Sequence, residues 1–439
     1  MLPFLKFKKR GVTIVDYRKR NIGRIPVHIA RELVNTKHAS VIRQHPTIIG
    51  LRQTGKTIKS EGVKVTGNPL KNIISVASLF ASNGSRIQAL NSILFEIDNG
   101  MLCVKSTNLD AYFTGFIESD KRYTFTHDKA INGICVNVQH LKKMLACPDE
   151  SSGIHIKNGE PPGLQIGSFF VEGFSPDEFP GTQSQKECKT YPFNVTDIAK
   201  KLNFVGRTIS DNKHRSSLHG VFFDLAKRRL VCADGDRLHM VPMVEAGEAQ
   251  DGNCPETGVI VTAHVLRVAK FLIGNGKLIE NNENRSIALN LAIPGCSNCI
   301  AGFTVIDEKF PTYEEVIPKD FASRFLVNTR DILPALHKAL IANTNDAASK
   351  PMIAEFSNGQ LKVTTKVNGR VTYQGVIHGR YSGTPYRGII NAGYLTDAIQ
   401  GMPGDCVEIL LQSGKDQAWT VRNNSGYTSV IMPIELKKD

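Results

Sequence analysis

Three groupings in this 439-residue chain have residue types and spacing suited to chemistry. Gly50-Leu51-Arg52-Gln53-Thr54-Gly55-Lys56-Thr57 satisfies the phosphate-loop pattern, in which glycine amides and a lysine cradle nucleotide phosphates. Lys56 and Thr57 would then serve a nucleotide hydrolase. Such a loop needs a buried strand before it and a helix after it. Pro46 leaves only residues 47–49 ahead, and Gly62, Val63 and Val65 follow with no helical stripe, so the context argues against it. Cys296-Ser297-Asn298-Cys299 has ligand spacing, but a tetrahedral zinc site needs a second pair and none is spaced to supply it. A turn between strands is the simpler reading. Asp234 and Asp236 flank Gly235 and point to a turn before they point to a metal. No nucleophile, base and orienting acid stand in recognisable combination. The expectation is a chain with no cofactor, no metal and no catalysis of its own.

The elements that must position any binding site repeat along the chain. Six short amphipathic helical patterns are anchored on Ile73, Leu141, Ile198, Val265, Ile332 and Leu395, between 57 and 68 residues apart. Five follow an Asn or Thr placed to cap first-turn amides: Asn137, Asn194, Thr262, Asn328 and Asn391. The third shows the spacing plainly, with Val195, Ile198, Ala199 and Leu202 at i, i+3, i+4 and i+7. Pro334 in the fifth is tolerable only near a first turn. Alternating strands come after the helices. Ile93, Phe95 and Ile97 precede Asn99-Gly100, with Leu102 and Val104 beyond; Met352, Ala354 and Phe356 precede Asn358-Gly359, with Leu361 and Val363 beyond. The layout recurs around Lys227 and Arg228.

Asp177-Glu178-Phe179-Pro180 closes the second unit, and Asp307-Glu308-Lys309-Phe310-Pro311 closes the fourth. The units therefore group in pairs. The expected organisation is a basic extension over residues 1–69 and three similar α+β domains over 70–191, 192–318 and 319–439. Three such domains form an arc with antiparallel sheets outside and helices inside, and a head-to-tail homodimer closes it into a ring.

Charge is unevenly distributed. The net charge is +13, yet residues 1–69 hold 15 Lys or Arg against Asp16, Glu32 and Glu61, while the remainder holds 39 basic and 38 acidic groups. The extension either grips phosphates or is a solvated tail, and composition leaves both open. Beyond it, four helices carry basic pairs on their polar sides: Lys142 and Lys143, Lys200 and Lys201, Arg267 and Lys270, His337 and Lys338. Each pair alone reads as an ordinary solvated helix face. Repeated on equivalent helices, they suit sequence-independent attraction to phosphates. No run approaches the roughly 18 apolar residues of a membrane span, and residues 1–10 are too basic for a secretory signal. Nine scattered cysteines fit reduced thiols, so a cytoplasmic protein without structural disulfides is expected.

Three stretches resemble the beta sliding clamp of bacterial DNA polymerase III. Leu218-His219-Gly220-Val221-Phe222-Phe223 leads into Ala233-Asp234-Gly235-Asp236-Arg237-Leu238, similar to the family's hairpin and its threonine-aspartate-glycine-histidine-arginine-leucine turn. The tail from Ser429 to Leu436 is similar to the family's valine-valine-methionine-proline-methionine-arginine-leucine ending. Phe310-Pro311-Thr312-Tyr313-Glu314-Glu315-Val316-Ile317-Pro318 is similar to its linker into the third domain. The resemblance covers roughly residues 70–436, is scattered at first, and does not reach residues 1–69.

The resemblance implies a DNA clamp fold and a processivity factor that encircles double-stranded DNA. It also implies a clamp loader and a groove between the second and third domains for peptides of DNA polymerase III, repair polymerases and mismatch-repair proteins. Carried over by position, the groove involves Leu218, Ala233, Gly235, Arg237, Leu238, Val265, Val430, Met432 and Pro433. Arg86, Asn212, Lys213 and Arg215 would lie near the duplex. Ala233 replaces a threonine, Asp236 a histidine, Thr262 a proline and Glu435 an arginine. Ser216 and Ser217 stand where a well-known member has tyrosines. Two rival readings are a non-replicative or accessory clamp homologue and the nucleotide hydrolase named above.

Overall fold

The computed structural model describes strands over residues 4–8, 11–15 and 21–25, and then residues 68–120, 123–129, 131–145, 153–180, 188–210, 215–244, 258–280, 285–343, 350–414 and 416–434. The phosphate-loop pattern at residues 50–57, Asn212 and Lys213 lie outside the described residues. The first three strands, β1 (Phe4–Lys8), β2 (Gly11–Val15) and β3 (Asn21–Ile25), form an antiparallel sheet of their own.

From residue 68 onward one unit recurs: a helix and three strands, with a strand before the helix in every copy but the first among the described residues. Its first copy has α1 (Pro69–Ala77), β4 (Ser92–Asp98), β5 (Met101–Thr107) and β6 (Ala111–Glu118). After β7 (Thr124–His127) comes β8 (Gly133–Asn137), α2 (Val138–Leu145), β9 (Gly153–Lys157), β10 (Gly163–Ile166) and β11 (Phe169–Glu172). The third copy is β12 (Lys189–Asn194), α3 (Ile198–Val205), β13 (Gly220–Asp224), β14 (Arg229–Ala233) and β15 (Arg237–Pro242). The fourth is β16 (Val259–Thr262), α4 (His264–Val268), β17 (Leu272–Glu280), β18 (Arg285–Leu291) and β19 (Ser297–Ile306). The fifth is β20 (Ser323–Asn328), α5 (Thr329–Ala342), β21 (Pro351–Ser357), β22 (Gln360–Val367) and β23 (Arg370–His378). After β24 (Arg380–Gly383) the sixth is β25 (Tyr386–Asn391), α6 (Ala392–Gln400), β26 (Cys406–Leu411), β27 (Trp419–Arg422) and β28 (Thr428–Ile431).

The six anchor residues all fall on these helices and are buried. So are the alternating apolar residues of β4, β5, β21 and β22, because period-two alternation puts one set of side chains on the core face. Asn99-Gly100 and Asn358-Gly359 take positive φ at both positions, the condition of the tight hairpin turn, and Asn368-Gly369 does the same between β22 and β23.

Capping departs from expectation in three places. Asn137 and Asn391 accept from first-turn amides, at 2.8 Å from Gln139 and 2.9 Å from Gly393. Asn194 instead ends β12, paired opposite Asn275, and α3 starts only after Asp197 in the left-handed region. Thr262 is likewise held in β16 opposite Gly220, and its hydroxyl caps nothing. Asn328 Nδ2 donates to Asp331 Oδ2, and its Oδ1 accepts from the Cys406 thiol. Asn68, which the pattern did not single out, caps α1 through Leu70 and Lys71. Pro334 stands at the sixth position of α5 rather than in its first turn, on the exposed side, where its missing amide would have met the Arg330 carbonyl.

Pairing repeats as the units do. β4 pairs with β8, β13 with β16 and β21 with β25, which joins units two by two. β12–β17 and β20–β26 close the other side of each pair. In the first pair, β7 takes that place beside β9 in parallel. Two pairings then connect strands far apart in sequence: β6 with β19, and β15 with β28. In both, the last strand of an odd unit meets the last strand of an even unit one pair further along. β11 and β23, the remaining strands of those two kinds, are sheet edges among the described residues. The helices pack pairwise, α1 with α2 and α5 with α6, and α3 with the turn after α4.

Candidate functional site

The β15–β28 junction carries the residues singled out by sequence. The turn that leads into β15 is built by Asp234, whose Oδ1 accepts from the amides of Asp236 and Arg237 at 3.0 Å each. Its Oδ2 accepts from Arg237 Nε at 2.9 Å. This accounts for the two aspartates as a turn. Gly235 has φ +106, so the backbone conformation favours glycine; a Cβ there would meet only the tip of the exposed Arg215 side chain, which can move aside. β28 then pairs with β15 from Arg237 opposite Ile431 to Met240 opposite Thr428, and the Met432 amide donates to the Asp236 carbonyl at 2.9 Å.

Beneath this turn lies a second apolar cluster, apart from the main core: Leu218, Val231, Leu238, Met240, Ile260, Phe310, Tyr313, Ala418 and Val430, with Ala233 packed against it. Leu218, Leu238, Val430 and Ala233 are thus brought together. Met432 lies beside them with 46% exposure, and Pro433 is half-buried. Val265 is not among them. It is fully buried in the main core, because α4 turns its apolar side to that core.

Arg237 is also placed differently from expectation. Its guanidinium is 10% exposed: Nη1 donates to Asp397 Oδ2, Nη2 to the Arg207 carbonyl, and the group lies 4.0 Å from the Tyr394 ring centroid. Arg207 reaches the other oxygen of Asp397 at 3.1 Å. Arg237 therefore fastens α6 to β15 through three of its five N–H donors. No local pattern pointed to Asp397, Tyr394 or Arg207, which come from distant segments. Phe310 and Tyr313 were visible only as linker residues. In the fold Phe310 stacks on Phe222 at 4.6 Å, and Tyr313 donates to Asp224 Oδ2 at 2.7 Å, so the linker covers one wall of the cluster.

The basic residues divide. Lys142, Lys143, Arg267, His337, Lys338, Arg86 and Arg215 are exposed. Lys200 is exposed and paired with Asp197. Lys270 is half-buried with its ammonium 5.0 Å from the Phe271 ring centroid, and burial holds its pKa below the ordinary lysine value. Lys201 is the correction: it is 4% exposed and its ammonium donates to Thr196 Oγ1 and to the Met243 carbonyl. One residue beyond Lys200 on a helix is about 100° around, enough to move from solvent to core.

Side chains distant in sequence do form one relay-like chain. Thr126 Oγ1 and His155 Nδ1 are 2.8 Å apart, and His155 Nε2 lies 3.0 Å from Asp128 Oδ1. The Asn158 amide, followed by His155, holds the Asp128 carboxyl below the usual range. Solvent reaches Asp128 and His155, and the chain ties β7 to β9 rather than desolvating a nucleophile. No group of three or more His, Cys, Asp or Glu able to hold a metal occurs among the described residues, and no described helix is long and apolar enough to cross a membrane.

This architecture has close counterparts. A DNA polymerase III beta subunit from Thermotoga maritima superposes with a TM-score of 0.69 over 85% of this chain and 98% of its own, at 19% identity. A sliding clamp from Bartonella birtlesii, bound to griselimycin, gives 0.69 with the same coverage and identity. The beta sliding clamp of Haemophilus influenzae is 21% identical over 383 residues, 84% of this chain and 97% of its own. No family model matches. Six repeats joined by the two recurrent strand pairings define a DNA-clamp fold. The chain has the DNA-clamp fold and is similar along most of its length to bacterial beta sliding clamps.

Proposed function

We propose that the protein is a DNA sliding clamp, a non-catalytic processivity factor that two copies close around duplex DNA. On this reading the clamp domains are residues 70–191, 192–318 and 319–439. The carrying observation is the free pair of edges. β6–β19 and β15–β28 repeat one relationship, and only β11 and β23 lack their counterpart among the described residues. Pairing β23 of one copy with β11 of the next continues the series, and doing so twice closes a ring. Both edges expose apolar side chains where a partner strand would cover them: Phe170 on β11, Val371 and Val376 on β23.

Within such a ring the exposed basic residues Arg86, Lys142, Lys143, Lys200, Arg215 and Arg267 would meet phosphates through nonspecific, individually weak contacts. Asn212, Lys213 and the half-buried Lys270 belong to the same proposed face. Topology, not affinity, then retains the protein. The apolar cluster at Leu218, Leu238 and Val430, with adaptable, exposed Met432 at its rim, suits short apolar peptides. Those peptides would come from the DNA polymerase III catalytic subunit, a clamp loader, repair polymerases and mismatch-repair proteins.

The test is to load the protein on nicked circular DNA and then linearise the circle. Release on linearisation is expected; retention on DNA with free ends overturns encirclement. Phe170→Asp should give a folded monomer that never becomes stably linked to circular DNA.

A further inference from the structure

On one side β28 borders the apolar cluster of β15; on the other the sheet continues through β27, β26, β20 and β24. Cross-strand partners point to the same side of an antiparallel sheet. The register therefore traces one row across it: Met240, Thr428, Arg422, Glu408, Leu326 and Arg380. The alternate residues Phe325, Val327, Val407 and Ile409 are buried in the main core with Ile332 of α5 and Leu395 of α6. The row thus lies on the sheet face turned away from those helices.

Its far half is basic. The Glu408 side chain is 16% exposed, and two guanidiniums share its carboxylate: Arg324 Nε lies 3.0 Å from Oε1, and Arg422 Nε donates to Oε2 at 2.7 Å. Arg324 precedes Leu326 by two positions on β20 and so shares its face. Among the described residues no other hydrogen bond or ion pair holds these two groups, and their terminal N–H donors are left for a ligand. Arg380, exposed on β24, pairs with no carboxylate among the described residues. Asp405, just before β26, has Arg330 3.5 Å away. Three arginines therefore stand against the single carboxylate of Glu408, with exposed Leu326 between them. A guanidinium already held by Nε loses less freedom on meeting a carboxylate, and its planar fork matches that group.

We infer that this basic face binds the acidic flank of a peptide whose apolar part lies in the groove at Leu238 and Val430. The inference rests on the groove reading and names the partner's chemistry, apolar anchors with Asp or Glu on one side. Continuity of the row carries it. Neighbouring strands lie about 4.8 Å apart, so Arg422 is about 10 Å and Arg380 about 24 Å from Met240. An extended chain spans this with about three to seven residues beyond its anchor. In the proposed ring the helices face the duplex, and this surface faces the other way.

The test measures fluorescence anisotropy of three labelled peptides on the full-length protein. One is an apolar clamp-motif anchor flanked by serines; the others carry a glutamate run before or after the same anchor. At low salt one acidic peptide should bind about tenfold tighter than the serine peptide, an advantage that shrinks as salt is raised. Arg380→Gln leaves Glu408 and its two partners untouched and should reduce the advantage about threefold. Arg324→Gln with Arg422→Gln should abolish it while the serine peptide binds as before. The inference is overturned if neither acidic peptide exceeds the serine peptide, if the advantage survives all three substitutions, or if they weaken duplex binding instead. Failure of the serine peptide alone counts against the groove reading and not against recognition of acidic residues by the arginines.

Discussion

Arg237 Nη1 donates to Asp397 Oδ2 at 2.8 Å, across the junction where β15 meets the β28 side of the fold. The same guanidinium binds Asp234 and the Arg207 carbonyl and covers Tyr394. Removing one partner leaves a largely desolvated charge behind. Asp397 is a third exposed, so the loss is smaller than for a fully buried pair. Arg237→Ala should destabilise the protein by about 2 kcal/mol in urea unfolding, and a double-mutant cycle with Asp397→Ala should give a coupling of about 1 kcal/mol. Arg237→Lys should not restore stability, because a lysine cannot reproduce the fork or the stacking. Additive single and double variants would show that the pair is not coupled.

The groove reading separates two residues that sequence had grouped together. Met432 is exposed and holds no core, so Met432→Ala should leave the unfolding midpoint nearly unchanged while weakening a clamp-motif peptide by about tenfold, roughly 1.4 kcal/mol. Val265 is fully buried in the main core. Val265→Ala should cost about 1–3 kcal/mol of stability and leave peptide affinity within about twofold. Fluorescence anisotropy with a labelled peptide, run beside thermal unfolding, checks both. Equal peptide losses for the two would return Val265 to the groove.

Much of this fold was legible in sequence because its unit is local. The helix anchors, the Asn-Gly turns and the alternating strands depend on periodicities of a few residues, and their repetition revealed the architecture. What depended on partners hundreds of residues away was hidden. Arg237 looked like a free groove residue until Asp397 and Tyr394 closed on it. Lys201 looked like the twin of Lys200, since a polar stripe does not show which lysine the neighbouring Met243 carbonyl will capture. Asn194 and Thr262 read as caps because nothing local shows that strand pairing reaches them first.

That difference between the two lysines gives a further prediction. Lys142 and Lys143 are exposed on α2. Lys142→Ala with Lys143→Ala should weaken duplex binding equally for all sequences and reduce the slope of log affinity against log salt by about 1 for each phosphate that is no longer neutralised. Stability should not change. Lys201→Ala should do the reverse, unfolding earlier because the Lys201 ammonium no longer bridges Thr196 Oγ1 and the Met243 carbonyl, with an unchanged salt slope. Salt-titrated binding to two unrelated duplexes decides between these outcomes.

Acid should act through His239. Its ring is buried beside β28, stacked on Phe204 at 4.5 Å, with Nδ1 2.9 Å from the Phe204 carbonyl. Burial lowers its pKa from 6.5 to about 4; the Phe204 carbonyl opposes that shift, Arg237 and Arg207 add to it, and Asp397 offsets part of it. The unfolded chain therefore binds a proton below about pH 6.5 that the folded chain refuses until about pH 4. The stabilisation is complete above the unfolded value and is lost as pH falls through this window. The gap corresponds to about 3 kcal/mol at its full extent. Urea midpoints should fall between pH 7 and pH 5, and His239→Gln, which keeps a donor for the Phe204 carbonyl but does not titrate, should flatten that fall. An equal fall in the variant would assign the acid sensitivity to other groups.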